Sequence, residues 1–217
     1  MAWLTVEEAR ALYQAGDAAH DFDHVWRVTQ LACHLAQTEG ADIDVVQTAS
    51  LLHDVPVAST TEAHPTATRR SHHLAAADFA RTLLTERGIP TAQIENVVHC
   101  ITAHRFRDQA VQPATVEAQC LYDADKLDSI GAIGVARAFA YAGSHESRLW
   151  TTPIAAVPPI AEKPTGADYT PVHEFVYKLQ RILKTLHTVT AQQIGAERHR
   201  RMVDFFEQLD DEMRQIY

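Results

Sequence analysis

The chain has 217 residues, 46% of them hydrophobic and 22% charged, a composition that fills one ordinary core and excludes a disordered or low-complexity protein. Its formal net charge of −9 disfavours sequence-independent binding to long nucleic acid, which relies on a basic surface. No apolar run approaches the ~18 residues of a membrane span, and the odd, widely spaced cysteines Cys33, Cys100 and Cys120 read as free thiols in a reducing compartment. The opening MAWLTVEEAR has early acidic residues and no basic start leading into an apolar core. No signal peptide is expected, and the expected location is the cytoplasm.

Thr5-Val6-Glu7-Glu8 has the form of a capping box and predicts a short helix ending by Ala15, before Gly16. A second helix is expected from Asp21 or Asp23 to Gln37, with Val25, Val28, Leu31, Ala32 and Leu35 at helical spacing and Gly40 beyond its end. His20, His24 and Arg27 share one side of it. Asp42 can cap a third helix through Val45, Val46, Ala49, Leu51 and Leu52, which reaches His53-Asp54 and stops at Pro56. The polar, proline-broken stretch VPVASTTEAHPTAT reads as a loop into a fourth helix, about Thr66 to Glu86, closed by Gly88.

A fifth helix is expected from Thr91 to His104, with Ile94, Val97, Val98 and Ile101 inward, then a loop from Arg105 to Pro113. The sixth should span Thr115 to Asp125. A seventh, Ser129 to Ala142, is apolar almost all round through Ile130, Ala132, Ile133, Val135, Ala136 and Phe139, and such a helix belongs in the core. From Gly143 to Pro171 periodicity is absent, and Pro153, Pro158, Pro159, Pro164 and Pro171 keep the chain extended; a connection this long suits a lid or binding loop. Two helices, about Val172 to His187 and Ala191 to Arg214, close the chain. With no run of strands, the expected fold is an all-α helical bundle. One domain over 1–217 is expected, with its core at about 20–142, the loop at 143–171 and the C-terminal helices at 172–214.

Thirteen histidines are the composition's most unusual feature, and histidine is the commonest metal ligand among side chains. The neighbours His53 and Asp54 cannot share a helical face, because successive positions are turned by roughly 100°. At a helix end the backbone bends, so that an imidazole nitrogen and a carboxylate oxygen can converge on one ion, a donor pair that suits first-row divalent metals. His24 and Asp125 are further candidates, since bundles build ligand sites from side chains on facing helices. Asp125 lies between Leu121 and Leu127, where an unpaired carboxylate is costly to bury. A metal would remove that cost; so would a salt bridge to Lys126 or a capping role for the next helix. His24, taken singly, also fits an ordinary core or surface histidine.

Together these residues resemble a known family. His24 in HVWRV, His53-Asp54 in LLHDV and Asp125 in LYDADKLDSIGAIGVARAF are similar to the H…HD…D signature of the HD-domain phosphohydrolase superfamily, an all-helical fold. HDFDHVWRVTQLACHLAQTEGAD, DADKLDSIGAIGVARAF and the C-terminal HEFVYKLQRI and AERHRRM resemble a bacterial subgroup, with coverage from about His20 to Met202. The resemblance implies one divalent ion, Mn, Co, Fe, Ni or Mg, held by His24, His53, Asp54 and Asp125. It also implies hydrolysis of a phosphoester or phosphoanhydride; some similar members release pyrophosphate from nucleoside triphosphates. The expected partner is thus a small phosphorylated substrate, a nucleotide foremost, with no membrane and no long nucleic acid, and the protein is a monomer or homodimer.

Further roles follow from position. Arg27, one turn from His24, either grips phosphate through its planar fork or pairs with a surface carboxylate. Lys126 and Asp128 flank Asp125 and either contact phosphate and orient water or form a capping and salt-bridge pair. His104 in ITAHRF is a candidate acid for the leaving group or a ligand of a second ion. Some HD proteins hold two ions bridged by the HD aspartate through extra histidines in the interval that here contains His72, His73 and His104. RRSHHLAAADFA nevertheless reads as the polar side of an ordinary helix, and one ion is the expectation. Two departures from the family pattern matter: HDVPVAST replaces a glycine-containing continuation of the HD pair, which bears on substrate choice, and Leu186-His187-Thr188 stands where relatives carry Met-Asn-Thr, so that no role of the asparagine carries over. The competing readings are a metal- and nucleotide-binding regulatory module without turnover, and a di-iron oxygenase that needs at least two of His72, His73 and His104.

Overall fold

A computed structural model describes residues 3–13, 22–56, 65–105 and 111–216, whose regular elements are all helices, with no strand among them. Gly16, His20 and parts of the two loops around 57–64 and 106–110 lie outside the described residues. The helices are α1 Val6–Leu12, α2 Phe22–Glu39, α3 Ile43–Leu52, α4 Pro65–Glu86, α5 Thr91–Ala103, α6 Val116–Leu127, α7 Gly131–Ser144, α8 Pro171–Tyr177 and α9 Val189–Met213. The all-α expectation is met. No described helix is long and apolar enough to cross a membrane.

The chain divides into two compact units, Met1–Asp125 and Lys126–Tyr217. In the first, α3 is the central element, packed by α1, α2, α4 and α5. Its residues Val45, Val46, Thr48, Ala49, Ser50, Leu51 and Leu52 are all buried. α2 presents Val25, Val28, Ala32 and Leu35 to this core and α5 presents Ile94, Val97 and Ile101, the inward stripes that their spacing predicts. Asp42 caps α3, its Oδ1 accepting from the backbone N–H of Asp44 at 3.0 Å and of Val45 at 3.3 Å. The Asp42 N–H in turn donates to Glu117 Oε1 at 2.9 Å, and Asn96 Nδ2 donates to Glu117 Oε2 at 3.1 Å. One carboxylate therefore ties the start of α6 to the start of α3 and to α5.

The second unit corrects three expectations. α7 is not a core helix: only Gly131, Gly134 and Ala142 are buried, while Ala132, Ala136 and Ala140 are exposed. Its apolar character is largely alanine, whose small side chain gains little from burial. What α7 offers is close approach. Gly131 has φ +74°, and a Cβ there would stand 3.0 Å from Arg198 Cβ on α9, so backbone geometry and space both require glycine. The connection after α7 is not structureless either. It forms 3-10 turns at Ile154–Ala156, Ile160–Glu162 and Gly166–Asp168, the first two started by Pro153 and Pro159. Asp210 of α9 anchors it, accepting from Trp150 Nε1 at 2.9 Å and from the Ile154 N–H at 3.3 Å. Finally, the helix expected over 172–187 breaks at Lys178 (φ −132°, ψ −59°) and continues as a 3-10 helix, Leu179–Thr185. Leu179 and Ile182, three apart, are its buried residues, the spacing at which 3-10 side chains align.

The predicted capping box at α1 forms as drawn. Thr5 Oγ1 accepts from the Glu8 N–H at 3.2 Å and Glu8 Oε2 accepts from the Thr5 N–H at 2.8 Å. α1, expected to run to about Ala15, ends at Leu12. The backbone bond from Thr5, then Arg87 at 2.9 Å, bring the Glu8 carboxyl down to about 2. Because this folded value lies below the ordinary 4.5, the stabilisation is complete above pH 4.5 and fades as pH falls toward 2. Thr5→Ala should lower the melting temperature by about 2–4 °C. Glu8→Gln should be less stable than the parent at pH 7, with the gap closing between pH 4.5 and pH 2 in thermal denaturation; a gap independent of pH would refute the assignment.

Candidate metal centre

Asp54 stands where α3 stops, and the helix end is closed without a glycine. Ser50 O accepts from His53 Nδ1 at 2.7 Å, Leu51 O from the Tyr13 hydroxyl at 2.9 Å, and Leu52 O from the Val55 N–H at 3.2 Å. These are carbonyls that a helix terminus leaves without intrahelical partners. A carbonyl can only accept, so His53 Nδ1 carries the proton and Nε2 is left with the lone pair when the ring is neutral. His53 is fully buried, and its Nε2 makes no hydrogen bond. His104, the C-cap residue of α5, repeats the arrangement, its Nδ1 donating to Ile101 O at 2.6 Å. Both rings are thereby fixed in orientation and tautomer, as outer-shell hydrogen bonds fix metal-binding histidines.

The two oxygens of Asp54 face different histidines. Oδ2 lies 3.6 Å from His53 Nε2 and 3.8 Å from His24 Nε2 on α2. Oδ1 lies 3.4 Å from His72 Nε2 on α4 and 3.7 Å from His104 Nε2. Asp125, in the last turn of α6, completes the first side with Oδ1 3.5 Å from His24 Nε2. These separations exceed the usual ~2.7–3.2 Å of a hydrogen bond. They suit donors that share an ion, because with bonds of about 2.1 Å two ligands on one centre stand roughly 3–4 Å apart. One potential ligand atom each from His24, His53 and Asp125 lie within 4.8 Å of one another, and the same holds for Asp54, His72 and His104. The orphaned Nε2 of His53 and the mixed nitrogen and oxygen donors fit a first-row divalent ion.

Electrostatics agree with the geometry. Burial pushes the Asp54 carboxyl up, but positive charge placed at His53, a polar contact from His72 and positive charge at His104 outweigh it and hold the group well below the usual carboxylate range; a cation shared with neutral rings acts in the same direction. Asp54 is thus an anion in a nearly dry setting, its side chain 14% exposed.

Of the residues singled out from the sequence, His24, His53, Asp54, Asp125 and His104 converge. His72, read as the polar side of an ordinary helix, converges with them, and His73 lies beside it with ring centroids 5.9 Å apart. Arg27 is half-buried one turn beyond His24 on α2. Lys126 and Asp128 are buried members of the second unit, where Asp128 Oδ2 accepts from Arg137 at 2.9 Å and Leu127 O accepts from Arg198 at 2.6 Å. Tyr13 was not visible from the sequence. Burial, then the nearby charge of Asp54, push its hydroxyl well above the usual value, so it stays a neutral donor at the end of α3.

Comparison with known proteins gives a consistent result. The family described as HD domain matches residues 21–130. The uncharacterized protein YpgQ of Bacillus subtilis is 32% identical over 199 residues, 90% of this chain and 85% of that protein. The crystal structure of YpgQ in complex with ADP superposes with a TM-score of 0.71 at 29% identity, covering 98% of this chain and all of that one. An HD-superfamily hydrolase from Bacillus thuringiensis gives a TM-score of 0.69 at 26% identity, covering 96% and 94%.

Replacing Asp54 removes the only carboxylate that meets all four imidazoles among the described residues. Asp54→Asn should weaken divalent-metal affinity by more than about 100-fold while the far-ultraviolet circular dichroism stays helical. Elemental analysis of the loaded, desalted variant checks this, and a full metal complement would refute the assignment.

Proposed function

The chain belongs to the HD-domain family, and on that premise we propose that it is a divalent-metal-dependent nucleotide hydrolase, splitting a nucleoside triphosphate and water into monophosphate and pyrophosphate. The metal-dependent phosphohydrolase class is that of the family. The nucleotide and the bond cleaved are our reading, supported by the crystallisation of the related YpgQ with ADP. The single observation that carries the proposal is the cage around Asp54, built from four imidazoles and a second carboxylate. We also take the two units to work as one domain.

In this reading His24, His53, Asp54 and Asp125 hold the ion. When bound, it supplies Lewis acidity toward a phosphate oxygen and makes water a competent nucleophile near neutral pH. The protein's own residues do the rest. Burial of His24 and His53 excludes bulk water and strengthens each electrostatic contact. Arg27 offers a planar, permanently charged fork to substrate phosphate. His104, protonated at both nitrogens, keeps Nδ1–H on Ile101 O and presents Nε2–H to the leaving oxygen.

A second reading has its own observation. His72 and His104 face Asp54 Oδ1 while His24 and His53 face Oδ2, an arrangement suited to two ions bridged by Asp54. His104 then coordinates through the Nε2 lone pair and cannot be the acid. The same two histidines meet the requirement of the di-iron oxygenase reading.

Purified protein with Mn²⁺ should convert nucleoside triphosphates into monophosphate and pyrophosphate on ion-exchange chromatography. Chelation should abolish the reaction and Mn²⁺ or Co²⁺ restore it; no release across a panel of ribo- and deoxyribonucleotides would sink the proposal. Metal analysis separates the two readings: about one ion per chain with His72→Ala fully loaded supports the first, and two ions, one of them lost in His72→Ala, the second.

A further inference from the structure

Two side chains beside the cage are unused by the mechanism. Arg105 follows His104 and is half-buried, and its Nη1 lies 3.4 Å from His73 Nδ1. A guanidinium can only donate, so His73 Nδ1 must be the acceptor. His73 is therefore the neutral tautomer with its proton on Nε2. The contact leaves the imidazole neutral and makes His73 an N–H donor through Nε2. The His73 ring is 6.5 Å from the His104 ring and 5.9 Å from the His72 ring, the two histidines that face Asp54 Oδ1, and Arg105 lies against His73 on that side. Neither His73 nor Arg105 lies within either group of potential metal ligands. One permanent cation and one neutral donor, both half-buried, form a combination that suits an anion, not a metal.

We propose that Arg105 and His73 form a phosphate subsite beside the metal centre, which takes a phosphate group adjacent to the one bound at the cage. This rests on the phosphohydrolase reading and deepens it: the substrate class is one with at least two linked phosphates. Hydrolysis of a triphosphate develops negative charge on the departing pyrophosphate, and a fixed guanidinium at that position stabilises it.

The probe is inorganic pyrophosphate, titrated calorimetrically at saturating Mg²⁺ into the purified full-length protein, with inorganic phosphate as the single-phosphate reference. Arg105→Ala should weaken pyrophosphate binding about ten- to hundredfold and weaken phosphate binding much less. His73→Ala should have a smaller effect, and Arg105→Lys should recover part of the loss, because the charge returns without the fork. Bound metal, measured on the same samples, should equal the wild-type content. Pyrophosphate affinity within twofold of wild type in Arg105→Ala overturns the proposal. So does equal weakening of phosphate and pyrophosphate, or loss of affinity that tracks loss of metal. The two hypotheses fail separately. Selective pyrophosphate binding that needs Arg105, in a protein that cleaves no nucleotide, would keep the subsite and reject the reaction; nucleotide cleavage with pyrophosphate binding indifferent to Arg105 would do the reverse.

Discussion

The first unit is organised around one electrostatic constraint: a carboxylate, Asp54, held where little water reaches it and facing four imidazole nitrogens, of which His53 Nε2 makes no hydrogen bond. His53 makes the point sharply. Its Nδ1 is committed to Ser50 O, so in the neutral ring Nε2 directs a lone pair toward the lone pairs of Asp54 Oδ2. Acceptor against acceptor at 3.6 Å is repulsive unless a positive centre lies between them. A proton on Nε2 would require a charged, fully buried imidazolium at a distance too long for a good hydrogen bond. A shared divalent cation satisfies both groups and also accounts for the matching separations to His24 and Asp125.

Helix termini make this arrangement possible. A mid-helix carboxylate and its neighbour diverge, whereas at the end of α3 the chain leaves helical geometry just as His53 and Asp54 are placed. The cost of a helix end is its unpaired carbonyls, and here the site residues and their supports meet it: His53 and Tyr13 on α3, His104 on α5. The same hydrogen bonds that finish the helices orient the rings. Stability and ligation are thus carried by shared contacts, and loss of the Tyr13 hydroxyl would be felt at the metal centre as well as in the fold. Glu117 plays a comparable part for α6, joining its first turn to α3 and α5 and so setting the position from which Asp125 reaches His24.

Much of this was legible from local sequence. The caps at Thr5 and Asp42, the inward stripes of α2 and α5, and the stop after Leu52 depend on residues within about four positions of one another. The difficulties arise where local pattern and tertiary demand part. An alanine-rich run at 131–144 has the apolarity of a core helix but little area to bury, and it packs by glycine contact instead. The proline-bearing connection after it lacks periodicity yet is ordered by Asp210, far along the chain. His72 continues the i, i+4 line of the buried Ala76, Ala80 and Leu84, but a line made mostly of alanine carries too little apolar contrast to mark it as the inward face.

The sequence by itself determined the chemical vocabulary: which side chains can ligate, where helices begin and end, and that His53 and Asp54 stand at a helix terminus, because these follow from short-range sterics and hydrogen bonding. The tertiary structure alone decided adjacency. It brought α4 and α5 to the Oδ1 side of Asp54 and α2 and α6 to the other, so that one carboxylate serves two sets of donors, and it set Arg105 against His73. Those pairings depend on how helices distant in sequence pack around α3, and packing is settled by the whole core, not by any segment read alone.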